Sequence, residues 1–217
     1  MTHSLHRRGA PETLENDYVL LVTPAVGINH VGSKEKLQKI LDVIWEIGPT
    51  NIGSYEVGTI FTGSTLEEIK TSLSDKPRVR CAFDSCEKIT EVVRRIKEMD
   101  LGLSVTVSGL TDKVQEMSKR LGIEPNSVNL SLGIMGRTDL LPPEWVLEIT
   151  TMCGHGMISA SLVEKMVSDL KKGRITLDKA AETLARPCVC GIFNVARAKK
   201  LLADRLACDE SCKAEGE

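Results

Sequence analysis

The chain has 217 residues, 41% of them apolar and 27% charged, with a formal net charge of −2. It is long enough for one large domain or a domain with an appended unit, and it lacks both the basic excess of a nucleic-acid binder and the acidic tracts of a solvating tail. Aromatic residues make up only 3%, which argues against a base-stacking platform.

The longest apolar runs, such as Tyr18-Val19-Leu20-Leu21-Val22, fall far short of the ~18 residues that a bilayer span needs. Residues 1–9 are charged and carry no apolar core, so no secretory signal and no membrane partner are expected, and the expected location is cytoplasmic. In a reducing compartment seven cysteines, an odd number, point to core thiols, metal ligands or redox groups more than to disulfides.

In chain order, His3, His6, Arg7 and Arg8 mark an N-terminal segment. It is either a frayed terminus or an arm that folds over a site and offers imidazole or guanidinium to an anion. Tyr18–Val22 reads as a strand covered on both faces. A loop with Gly27, His30 and Gly32 follows, then a helix whose stripe is Leu37, Ile40, Leu41 and Ile44, stopped by Gly48-Pro49. A glycine-bearing loop before a helix N-terminus can cradle an anion, with His30 as a catalytic candidate. The glycine spacing matches neither the dinucleotide fingerprint nor the P-loop, and a plain turn capped by Ser33 competes.

A second strand is expected over Tyr55–Phe61. Ser64 to Glu67 reads as a capping box for a short helix with Leu66, Ile69 and Leu73 inward. In the third strand, Arg78–Phe83, the residues Val79, Cys81 and Phe83 share one face and Arg78 and Arg80 the other, which makes Cys81 a core thiol. Cys86 stands in the first turn of the next helix, whose stripe is Ile89, Val92, Val93 and Ile96. A fourth strand over Leu103–Val107 leads to a helix from Thr111 with Val114, Met117 and Leu121 inward and Gly122 as its C-cap. A fifth strand alternates Val128, Leu130 and Leu132 against Asn129 and Ser131.

This alternation predicts an α/β fold: a layered, largely parallel sheet with flanking helices over residues 10–135. If residues 65–74 form a loop, the order becomes β-α-β-β-α-β, a ferredoxin-like α+β core. Gly133–Pro143 is a punctuated boundary. Beyond it, residues 140–207 read as a C-terminal helical subdomain, with residues 1–9 and 208–217 as terminal arms. Its helices start at Pro143-Glu144-Trp145, at Ser159 or Ser161, at Thr176 and at Asn194.

The chemistry concentrates between Thr150 and Asn194. Cys153-Gly154-His155-Gly156 and Pro187-Cys188-Val189-Cys190-Gly191 place three of the seven cysteines in glycine- or proline-bent segments at helix ends. A bend lets both sulfurs of the Cys-X-Cys pair face one centre, and the following helix N-terminus favours thiolates. Cys153, Cys188 and Cys190 are thus the expected cofactor- and metal-binding residues, with His155 as fourth ligand or general acid–base. Zinc accepts such a set. A three-cysteine 4Fe-4S cubane with one open iron is the favoured cofactor, since zinc-finger doublets use C-x₂₋₄-C and the apolar neighbours make a dry rim. The competing reading is that these thiols are simply buried hydrophobes. Cys208 and Cys212 belong to an exposed, polar tail.

The leading functional expectation is an iron–sulfur or metal-dependent enzyme doing lyase or reductive chemistry on a small anionic substrate. The runners-up are a non-catalytic, metal-stapled binding or assembly subunit with a protein partner, and a thiol–disulfide redox protein. A homo-oligomer is compatible with all three.

Overall fold

The structure, a computed structural model, describes residues 6–75 and 78–214, with side chains as far as Cys208. His3 and the side chain of Cys212 therefore lie outside the described parts. In order, the elements are α1 (Pro11–Leu14), β1 (Tyr18–Thr23), α2 (Ser33–Ile47), β2 (Asn51–Ser54), β3 (Gly58–Thr59), α3 (Leu66–Ser72), β4 (Val79–Phe83), α4 (Cys86–Met99), β5 (Ser104–Ser108) and α5 (Thr111–Arg120). After a short 3-10 turn at Thr138–Leu140 come α6 (Glu144–Thr150), α7 (Ala160–Lys171), α8 (Leu177–Ala185) and α9 (Val195–Ala214).

The sheet corrects the expected fold class. Its order is β3-β2-β4-β1-β5, and every neighbouring pair is antiparallel, so the layered, largely parallel sheet is not what forms. The cause is where the helical connections land. β1 and β2, joined through α2, both run antiparallel to β4, and β4 and β5, joined through α4, both run antiparallel to β1. Each crossover thus links parallel strands but skips a position, which an antiparallel strand then fills. Strands β2, β4, β1 and β5 take the split β-α-β order. The sequence tied that order to a loop at residues 65–74, yet α3 is a helix. Its capping box is Thr65 with Glu68, one residue later than expected. α3 packs beside β2 and does not cross the sheet.

Two further strand expectations change. Residues 55–57 turn between β2 and β3 instead of lying inside one strand. Val128–Leu132 pairs with no strand among the described residues and is exposed.

The two faces of the sheet carry separate cores. Tyr18, Leu20, Val22, Ile52, Val79, Cys81 and Phe83 pack against the stripes of α2 and α4. The period-two alternation turns the intervening residues, among them Val19, Arg80 and Ala82, to the other face. There the C-terminal helices settle, and Val19 joins their core of Val146, Ile149, Val163, Leu184, Phe193 and Leu202. The helical unit is thus the second cover of the sheet, and its cysteine loops lie against the strands. Among the described residues no helix is long and apolar enough to cross a membrane.

Candidate metal centre

Three contacts seat the Cys-X-Cys turn on the sheet. Asn51 Nδ2 donates to Phe193 O at 3.1 Å, and Asn194 Nδ2 donates to Phe83 O at 3.1 Å. Between them Gly191, at φ 77°, lies flat on β2: a Cβ there would stand 2.5 Å from the Ile52 carbonyl carbon and 2.9 Å from its Cα. Only glycine fits that approach and that backbone angle. Gly191→Ala is expected to cost about 1–3 kcal/mol from the left-handed φ and the forced shift. It should also speed alkylation of Cys190, and an unchanged urea midpoint with unchanged alkylation would refute the tight seating.

The N-terminal arm joins the two cysteine loops from behind. Arg7 donates through Nη2 to Met152 O, just before Cys153, and to Ile192 O, two residues after Cys190. Its other nitrogen pairs with the buried carboxylate of Asp17, whose second oxygen takes Arg197 Nη1 at 3.0 Å. Arg8 N donates to Thr151 Oγ1 at 2.9 Å, and its side chain pairs with Glu144. The arm therefore does reach the site, but its guanidinium serves backbone carbonyls and an internal carboxylate.

Cys153, Cys188 and Cys190 are 1%, 1% and 0% exposed. Cys188 Sγ lies 3.9 Å from Cys190 Sγ and within hydrogen-bonding contact of Cys153. His155 Nδ1 stands 3.8 Å from Cys190 Sγ, while its Nε2 meets Tyr55 Oη at 2.7 Å. The donors form a chain of contacts, Cys153–Cys188–Cys190–His155. Among the described residues no three or more His, Cys, Asp or Glu groups close around one point as a finished metal site.

The electrostatics follow from that chain. Cys153 is lowered to about 6, first by the thiol of Cys188 and then by the backbone N–H groups of Met157 and His155. Cys190 is likewise lowered to about 6 by Cys188, helped by Ile192 N–H and by the nearby His155 and Arg80. Cys188 is pushed up, because its proton bonds both neighbours. One S–H points at one sulfur at a time, so the proton is shared between the outer sulfurs. Buried Cys81 is pushed up by desolvation alone, the signature of a core thiol.

The sequence places Arg80 only on one face of a strand, yet in the fold it is a buried cation close enough to favour the Cys190 thiolate. It projects from β4 to the cysteine side, is 7% exposed, and stacks 4.1 Å from the Tyr55 ring centroid. Its Nε has no hydrogen-bond partner, and no carboxylate pairs with it among the described residues. Desolvation lowers its pKa, although a guanidinium stays charged in a protein. The signal was there: a charge inside the otherwise apolar strand Val79–Phe83. A strand over Tyr55–Phe61 conceals Tyr55, and the sequence marks Asn194, which caps α9 by accepting from Arg197 N at 3.0 Å, only as a helix start.

His30 is placed elsewhere. Its Nδ1 accepts from Gly27 N–H at 2.9 Å, and its loop is tied to Gly102 through Asn29, beyond the Thr23 end of β1. The cysteine turn is held at Phe83, opposite Tyr18 at the other end of that strand. A cleft of about 360 Å³ opens beside Cys153, walled by His6, Thr150, Thr151, Gly154, Gly156 and Ile158 among others. Cys86 is half-buried near Arg120, and Cys208 is exposed.

Fold and site together define an antiparallel split β-α-β sheet whose second face is covered by a helical unit carrying a buried three-thiol cluster. Compared with protein families, curated proteins and solved structures, the chain matches none of them.

Proposed function

We propose that this is a metal-dependent enzyme whose centre is held by Cys153, Cys188 and Cys190, with His155 as the exchangeable fourth ligand. The observation that carries the reading is the meeting of three buried thiols from two loops beside a buried guanidinium that forms no ion pair with a carboxylate among the described residues. A dication bound by three thiolates has one net negative charge, which is what Arg80 requires. Two thiolates on one tetrahedral ion with ~2.3 Å bonds stand about 3.8 Å apart, close to the 3.9 Å between Cys188 and Cys190. Thiolates bound to separate irons of a cubane stand further apart, so this spacing favours a single zinc or ferrous ion over the iron–sulfur cluster.

His155 faces the trio with one nitrogen and is held by Tyr55 through the other, the arrangement that orients a ligating imidazole. It is exposed on the side of Tyr55 and the glycine loop, whereas the thiols lie behind it. Its displacement would open one position to a small anionic substrate from the cleft at Cys153–Gly156, for lyase or reductive chemistry in a reducing, cytoplasmic setting. His30 has no part in this reading.

Anaerobic purification with metal analysis tests it. About one equivalent of zinc or iron, lost in Cys188→Ser, is the expected result. Brown protein with broad visible absorption would restore the cubane. Protein free of metal, with Cys188 and Cys190 alkylated only after reduction, would replace the reading by thiol–disulfide chemistry, for which their contact is the supporting feature. The buried thiols also suit a closed structural ion in an assembly subunit, and a metal that stays bound without any exchangeable ligand would favour that second reading. Tyr55→Phe removes the support of His155 and is expected to weaken metal affinity 10–100-fold with the fold intact, read by chelator competition. Unchanged affinity would remove His155 from the ligand set.

A further inference from the structure

The segment between α5 and α6 has the alternation of a strand but joins no sheet, and among the described residues no further strand pairs with β5 at the sheet edge. Every residue from Glu124 to Leu141 is exposed. Within this stretch Val128, Leu130, Leu132 and Ile134 recur at period two, with Leu132 89% exposed. An uncharged, alternating apolar strip left in water is costly, and a connection this long whose only structure is the 3-10 turn at Thr138–Leu140 is uncommon in a compact domain.

The acceptor is as incomplete as the donor. β5 ends the strand order, and its sequence Ser104-Val105-Thr106-Val107-Ser108 has none of the lysine, proline or bulge that normally protects an edge. The core beneath it is open at the same end: Val105, Val107, Val114 and Leu121 are only partly buried, whereas the stripes of α2 and α4 are closed. An added strand with Val128, Leu130 and Leu132 facing α5 would complete that core.

The chain does not lay this segment on its own β5. The segment leaves α5 toward the N-terminal arm, where Ser131 Oγ meets His6 Nδ1 at 3.0 Å, and Arg8 ties that arm to α6 through Glu144. Donor and acceptor are thus both present in one chain, and they do not pair with each other there. A two-fold axis satisfies both at once, the same exchange made twice. We infer that residues 126–135 form a strand-exchange arm that pairs with β5 of a second copy, giving a reciprocal dimer through extended sheets. This inference is independent of the metal centre.

Light scattering on the full chain, under reductant so that no disulfide links copies, should give the mass of two chains. The variant Leu130→Asp/Leu132→Asp should fall to the mass of one at the same concentration, with the helical far-ultraviolet signal retained. Hydrogen exchange on the unmutated chain tests the same point without relying on the variant's folding: amides of residues 127–133 should be protected and lose that protection on dilution. A monomer at every concentration would overturn the inference, as would a dimer that survives both aspartates. Protection that does not change with dilution would overturn it in favour of pairing with the chain's own edge.

Discussion

Replacing Asp17 by asparagine is expected to destabilise the fold by about 3–5 kcal/mol, the cost of stranding a buried charge when its partner is removed. Two guanidiniums depend on this one carboxylate: Arg7 takes one oxygen and Arg197 the other, all three side chains being almost fully buried. Asparagine preserves the shape and can still accept from Asn194 Nδ2, now 3.1 Å from Asp17 Oδ1. It leaves two cations facing each other, however, with only the carboxylate of Glu148 near Arg197 to offset them among the described residues. Against a usual total of about 5–15 kcal/mol, that is a large share. Urea unfolding of the two proteins measures it, and a shift under about 1 kcal/mol would show the pair to be solvated as a surface bridge is. The change should also reach the cysteines, because Arg7 holds the carbonyls of Met152 and Ile192. Faster alkylation of Cys153 and Cys190 at a denaturant concentration where the fold persists would report that loosening. Asp17→Ala/Arg7→Leu should recover part of the loss, since it removes one stranded charge with its partner.

That network also shows what could be read in the chain beforehand. The helices were legible because their cause is local: Leu37, Ile40, Leu41 and Ile44 of α2, stopped by Gly48, and Ile89, Val92, Val93 and Ile96 of α4, behind its Ser85 cap, recur at helical spacing and are all buried. Ser33, however, stands inside α2 and does not cap it. The pairing of strands is not local. Nothing in Tyr18–Thr23 records that its neighbours are β4 and β5, and a helix between two strands says that they run parallel without saying that they touch. Val128–Leu132 has the period of a strand, but a strand pattern names no partner. Within the site, the glycines and proline around Cys153, Cys188 and Cys190 signalled bent, close-packed loops. Their meeting depends on Gly191 lying against Ile52 and on Arg7 reaching from the N-terminus, contacts between residues more than a hundred positions apart. Asp17, Arg197 and Arg80 are ordinary charges in the sequence, and only burial makes them consequential.

Arg80→Met is expected to have opposite effects with and without the thiolate centre, and that reversal is the sharpest check on the charge assignment. Arg80 is buried and stacked on Tyr55, and among the described residues it has no ion pair with a carboxylate and no partner for its Nε. A desolvated cation in that position costs stability unless a negative group answers it. Three thiolates on a dication supply one net negative charge, which would add to the favourable but weaker influence of Tyr55, Cys190 and Glu56 on a guanidinium that burial disfavours. In the metal-bound protein, methionine in place of Arg80 therefore leaves the centre's charge unanswered, and about 3–5 kcal/mol should be lost, together with metal affinity. In a background where Cys153, Cys188 and Cys190 are serine, the same substitution removes an uncompensated charge and keeps most of the contact with Tyr55, so it should be neutral or stabilising. The coupling between the two sites should then be at least about 3–5 kcal/mol, at or beyond the top of the usual range of about 0.5–3 kcal/mol for interacting neighbours. Unfolding of the four proteins of this cycle gives the number directly. Equal losses in both backgrounds would mean that Arg80 acts by packing on Tyr55 alone, and the thiolate charge would then have no buried counter-ion.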